Sequence, residues 1–445
     1  MRKTTSLFSA LTALTALTVS ACGGNTIKSE LYPDIFPDYA GVTIPEGMAD
    51  LNFRMSDGSR CRIRSHRDAD TIWYSVTAWP EGSARGTEYK AFPVYVSHDE
   101  IDPFIAYRLI EPGYESWHDM GIYQRELSSY REKAIVTNKV NNMGCVNCHS
   151  FPSGDPGRML FHARGKGGGT VIVDSRGGVK ATKTDLSKTG PGMQGTYPAW
   201  HPEGRYVAFS SNSTNQCFFI SSQQPLEVYD KSSDLILLDT ESGEVSAVCV
   251  SPEILETFPA WSDDGKTLYY CAADNPGKLP EMRESVRYRL MALDFENGRF
   301  NEEARTVLDL DTLSISFPRV RGDRLVFTAA AYGTFPIWHS EADLWMLELG
   351  TGTLRRLDEI NSSETESYHS WSSNGKWMIF SSRRMDGRYT RLYLTHCGDD
   401  GIFSKPFLLP QKNADHDLLR LKSYNIPEFV KGEVSGIEKE IRKLF

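Results

Sequence analysis

A chain of 445 residues, 40% of them hydrophobic and 24% charged, is long enough for one large domain or two ordinary ones. Its net charge of −9 and the lack of any long basic run give no reason to propose nucleic acid as a partner. Aromatics at 11%, with 36 Gly and 22 Pro, fit short strands with punctuated turns better than helix bundles.

In chain order, the first residues read as a targeting segment. Arg2 and Lys3 form a positive start, and Ser6 to Ala21 is apolar or small but too short and too rich in Thr and Ala to span a bilayer. It ends in Val19-Ser20-Ala21-Cys22, which resembles a bacterial lipobox. That resemblance implies cleavage after residue 21 and a lipid on Cys22. Gly23 and the absence of a following acidic run resemble outer-membrane sorting signals, which implies anchorage facing the periplasm. Residues 22–44, with Pro33 and Pro37, read as a tether. Residues 45–140 read as a small α+β domain, which either caps the main body or supplies strands that complete it. "TIWYSVTAWPEG", "YKAFPVYVS" and "FIAYRLIEP" are strand-like there, and Trp117 to Ile135 is expected to be helical.

Four segments then repeat: Thr196 to Ser211, Thr257 to Ala272, Ser316 to Ala329 and Ser367 to Ser382. Each opens on a short aromatic strand, turns, and continues as an alternating apolar strand. Gly204, Gly265 and Gly375 mark the turns. A third strand follows each unit, as in Asp234 to Asp239 and Tyr288 to Asp294, and then a fourth. Four antiparallel strands per repeat predict an all-β fold, a β-propeller. Pro198-Ala199-Trp200, Pro259-Ala260-Trp261 and Trp371 resemble the blade signature of the TolB-like propeller family; Val320 replaces the Trp in the third unit. The resemblance covers about residues 145–410 and implies a propeller over 145–412, with about five legible blades in a ring expected to hold six. It implies fold far more than function. Residues 413–445 read as a tail with a short terminal helix.

Gly144-Cys145-Val146-Asn147-Cys148-His149 carries the chemistry. Cys-x-x-Cys-His is the attachment signature of haem c: two thiols hold the macrocycle and the adjacent imidazole becomes the proximal iron ligand. With 8 Cys and 10 His, chance supplies roughly 0.003 such matches. Structural zinc would need a second ligand pair at knuckle spacing, and no other Cys-x-x-Cys exists. The haem segment, residues 141–165, aligns as a divergent first blade, with Phe151 in the place of Trp200. Cys145 and Cys148 are therefore the expected attachment points and His149 the proximal ligand. His369, His162 and Met159 are the distal candidates, in that order. Met143 lies too close to Cys145 to reach around a haem. Cys61, Cys217, Cys249, Cys271 and Cys397 are an odd number and read mostly as buried free thiols.

The functional expectation is a lipid-anchored, mono-haem electron carrier working with a redox partner protein or a small oxidant. The alternatives are a non-catalytic scaffold that binds protein or polysaccharide, and a haem enzyme acting on an oxidant such as peroxide. A serine peptidase is not expected: there is no Gly-x-Ser-x-Gly, and too few residues follow the last blade for a hydrolase domain.

Overall fold

The computed structural model describes residues 26–112, 118–165, 167–186, 195–219, 224–301 and 303–445. The expected signal segment and Cys22 lie outside the described residues.

Among the described residues, six antiparallel blades form the body, five of them four-stranded and one, beginning at Ile254–Trp261, five-stranded. The first runs outward from Val146–Ser150 through Arg158–Ala163 and Gly169–Asp174 to Lys180–Thr184. The next four begin at Thr196–Trp200, Ile254–Trp261, Ser314–Arg321 and Glu366–Trp371. Their hairpin turns need a left-handed residue, and Gly204, Gly265 and Gly375 sit at φ 76°, 71° and 71°. The sixth blade joins both ends of the chain. Ser423–Val430 is its innermost strand, paired antiparallel to Phe104–Ile110, with Gly121–Glu126 and Glu132–Thr137 outside. Val146, Met159 and Phe161 of blade one share a buried cluster with Phe104, Ala106 and Ile122 of blade six, which closes the ring.

Four expectations are corrected. The segment from Trp117 to Ile135 is not a helix: Gly121–Glu126 and Glu132–Thr137 are paired strands, and Trp117 lies outside the described residues. Ile122 in "GIYQRE" is buried against blade one, and that tertiary packing overrides local helix propensity. Residues 26–44 are not a free tether. Thr26–Lys28 and Thr43–Pro45 are edge strands of a six-stranded sheet over residues 26–97, and Ile35–Phe36 pairs with Arg54–Met55. This region is a β-sheet rather than α+β. It packs on blades five and six through Phe92, Val94 and Val96 against Trp377, Leu392 and Tyr107. Residues 413–445 are likewise more than a tail, since they hold the closing strand. The terminal helix is present as Glu438–Arg442, with Ile441 buried beside blade one.

Candidate functional site

Every inner strand carries the same irregularity. The ladder skips two residues in each: Cys148-His149, Tyr197-Pro198, Phe258-Pro259, Phe317-Pro318, Tyr368-His369 and Ile426-Pro427. The first of each pair is left-handed, with φ between 46° and 52°. That conformation costs a non-glycine residue about 1–2 kcal/mol, so its sixfold recurrence marks it as a device that aims a side chain. Proline suits the second position because the ladder needs no N–H there.

Those first residues form a plug on the axis. Tyr197 and Phe258 have ring centroids 4.4 Å apart, Phe258 and Phe317 4.0 Å, and Phe317 and Tyr368 4.8 Å. Cys148 and Ile426 hold the two remaining places. Cys148 is buried beside Tyr197 and Tyr368, and burial pushes its thiol pKa up. Where four blades have proline, blades one and five have His149 and His369. The Nε2–H of His369 donates to the Val326 carbonyl of the preceding blade at 2.9 Å. His149 faces the Ala106 and Ile426 backbones, yet both its ring nitrogens are buried without a hydrogen-bond partner. Burial holds each of these imidazoles down at about 3, so both are neutral.

The remaining predicted ligands scatter. Cys145 is half-buried at the start of the motif. His162 lies on the paired strand opposite Asn147, with Nδ1 3.2 Å from Thr170 Oγ1; burial, aided by Arg164, lowers it to about 4. Met159 and Phe161 face blade six while Leu160 faces blade two, the alternation expected of a strand. His369 and Met159 are thus engaged elsewhere, and His162 is the candidate nearest the motif in the sheet. The donor set at Cys145, Cys148 and His149 has the chemistry for haem c, but the packing around it is closed. Cys148 is sealed by the plug and His149 by blade six. The residues as packed do not fit a macrocycle.

Space opens further along the axis. A cavity of about 240 Å³ lies beyond the plug, at the mouth where the inner strands end. Its floor is the next layer of six equivalent positions: Ser150, Ala199, Ala260, Arg319, Ser370 and Glu428. Its rim is the layer after that: Phe151, Trp200, Trp261, Val320, Trp371 and Phe429. The indoles lock neighbouring blades. Trp200 Nε1–H donates to Ser150 O at 3.3 Å and Trp261 Nε1–H to Ala199 O at 3.1 Å. Trp371 Nε1, buried, has no partner.

Glu428 accepts from the Phe151 backbone N–H at 3.1 Å and from the Ser150 hydroxyl. Burial pushes its carboxyl up to about 7, against the pull of Arg319. A folded-state pKa above the unfolded 4.5 means the native chain holds this proton more tightly. The stability it contributes is complete below that value and is lost as pH rises from there through about 7. Glu428→Gln should therefore gain thermal stability on the wild type as pH rises from 5 to 8. Melting curves at both values check it, and an unchanged gap sinks the assignment.

No protein-family model matches this chain, and no curated protein does. Among solved structures, a chain of a nidogen/laminin complex is 9% identical over 68% of this chain and 93% of its own length, with a TM-score of 0.41. The tricorn protease is 12% identical over 80% of this chain, with a TM-score of 0.38, and this chain spans only 34% of it. The Myceliophteria thermophila Cps50 (Swd1) β-propeller domain is 12% identical over 74% of this chain and 94% of its own, with a TM-score of 0.37. The six-bladed architecture rests on the strand pairing itself. Among the described residues, no helix is long and apolar enough to cross a membrane.

Proposed function

We propose that this chain is a non-catalytic binding propeller, held at the cell envelope by a lipid on Cys22, which receives its partner at the axial mouth. The observation that supports this reading is the cavity beyond the plug, floored by mixed polar and small residues and rimmed by aromatic side chains. Concave, largely preformed sites of that make-up are where propellers and other rigid scaffolds bind. The partner class is a protein or polysaccharide of the envelope. The test is a photo-crosslinking residue in place of Val320 on the rim, compared with one in place of Lys231. Lys231 lies on the long hairpin at the other end of the axis. A discrete adduct in intact cells is expected from position 320 and not from 231, with fatty-acid label on the same band reporting the anchor. No adduct from the rim would defeat the binding reading; an unlabelled band would defeat the anchor.

A second reading keeps covalent haem c on Cys145 and Cys148, with His149 as proximal ligand and an electron-transfer role with a redox partner. It is supported by the motif and by the two unpartnered, buried nitrogens of His149. In the packing described, attachment requires the Cys148 thiol to leave the plug. Coexpression with a c-type maturation system, followed by haem staining after denaturing electrophoresis, separates the readings. Covalent haem leaves a stained band that Cys148→Ala abolishes, and the binding propeller alone leaves none.

A further inference from the structure

We propose that the axial mouth is a small-molecule site for a zwitterion, a free α-amino acid or very short peptide with an apolar side chain, whose carboxylate meets Arg319 and whose ammonium meets Glu428. This goes beyond the binding reading above by adding a small ligand at the mouth that receives the protein or polysaccharide partner, and it rests on that reading.

The floor of the cavity is divided. Blades four, five, six and one contribute Arg319, Ser370, Glu428 and Ser150, a continuous polar arc. Blades two and three contribute Ala199 and Ala260, backed by Trp200 and Trp261, an apolar arc opposite. Arg319 and Glu428 are the only charged residues of that layer, stand two blades apart with Ser370 between them, and form no salt bridge. Each is held on its own side instead. Arg319 Nη1 donates to the Pro318 carbonyl at 3.1 Å, and Glu428 accepts from Phe151 N–H. Each feels the other's opposite charge without touching it, so neither has a counter-ion in contact, and burial leaves the Glu428 carboxyl only partly ionised near neutral pH until a cation meets it. A ligand bearing both charges relieves both at once. The guanidinium fork suits a carboxylate in particular.

The other charges at the cavity are mostly committed. Asp102 accepts from the Ser373 N–H and hydroxyl, and Asp263 pairs with Arg321 at 3.1 Å. Lys431 is the remaining cation of the lining. Trp371 adds a buried indole N–H that lacks an acceptor, where Trp200 and Trp261 each have one. The volume of about 240 Å³ holds one amino acid or a very short peptide but not a folded element. A neutral sugar of that size would bring neither group a counter-ion in contact.

The test is calorimetric titration of the full chain with L-leucine, L-phenylalanine and L-alanyl-L-alanine. The analogues 3-phenylpropionate and 2-phenylethylamine each lack one of the two charges. At least one zwitterion should bind in the millimolar range or tighter. Arg319→Gln and Glu428→Gln should each weaken it about tenfold or more, while 3-phenylpropionate binds more weakly to the wild type and ignores Glu428→Gln. Where Arg319→Gln melts early, Arg319→Lys serves instead: it keeps the charge, loses the fork, and should fall between. Failure of every zwitterion to bind, or binding untouched by both substitutions, overturns the proposal. If that failure comes with an intact adduct at position 320, the ligand class falls and the binding reading stands; loss of both removes both.

Discussion

A chain ending at Lys422 loses cooperative melting altogether. The deleted segment contains Ser423–Val430, the innermost strand of blade six, and Glu438–Arg442, the helix beside blade one. Tyr424, Phe429, Val430, Ile437 and Ile441 are all buried, at 5% exposure or less. Each such side chain contributes about 1.5–3 kcal/mol on burial. Together they match the whole stability of an ordinary domain, about 5–15 kcal/mol. The loss also strips Phe104–Ile110 of its inner partner and opens a new sheet edge where the axis was packed, so aggregation should accompany unfolding. Far-UV circular dichroism and tryptophan fluorescence on heating check this. A monomeric truncated chain that melts sharply within a few degrees of the full one would show that the ring does not depend on its closure.

That closing strand was the least legible part of the fold. The four central repeats announce themselves through Pro-Ala-Trp and through glycine at the turns, because each blade is complete within a contiguous stretch. Blade six is assembled from sequence positions about three hundred residues apart, and no local window contains it. One signal was there to find. Asn425-Ile426-Pro427 repeats the Thr196-Tyr197-Pro198 pattern, with proline at the position the ladder skips. Ile replaces the aromatic and Phe429 the Trp, which hides the match. The helix expected over residues 117–135 fails for a related reason. Local composition favours helix there, but Ile122, Ile135 and Val136 are claimed by the core between blades six and one.

At the site, the equivalence of His149 with Pro198 and of Phe151 with Trp200 was readable from the repeat register, and the strand pairing reproduces it. What the sequence could not convey is that the left-handed position points to the axis. That geometry turns Cys148 into a member of the plug and sets the motif's own histidine between blades. Arg319 and Glu428 were missed entirely. Nothing in "SFPRVRGD" or "SYNIPEFV" marks them until both strands are placed around one axis. Their pairing as functional candidates depends on blade six taking Ser423–Val430 as its innermost strand, which sets Glu428 two blades from Arg319 around the axis.

The plug itself should be the most sensitive part of the core. Phe317 is 2% exposed and touches Phe258, Tyr197 and Tyr368, with centroids 4.0, 5.6 and 4.8 Å away. It is the ring that contacts the other three, so its removal leaves a void that its neighbours cannot fill without moving their strands. Phe317→Ala should cost about 3–5 kcal/mol, seen as a melting point lowered by several degrees. The strand bulge would still aim the remaining rings inward, so the collapse stays partial. Cys148→Ala removes one sulfur from the plug's edge and should cost only about 1–2 kcal/mol. The comparison is informative because both residues occupy the same register position in different blades. If Cys148→Ala destabilises as much as Phe317→Ala, Cys148 holds the fold through something other than its packing. If Phe317→Ala melts with the wild type, the axis is not packed by this ring.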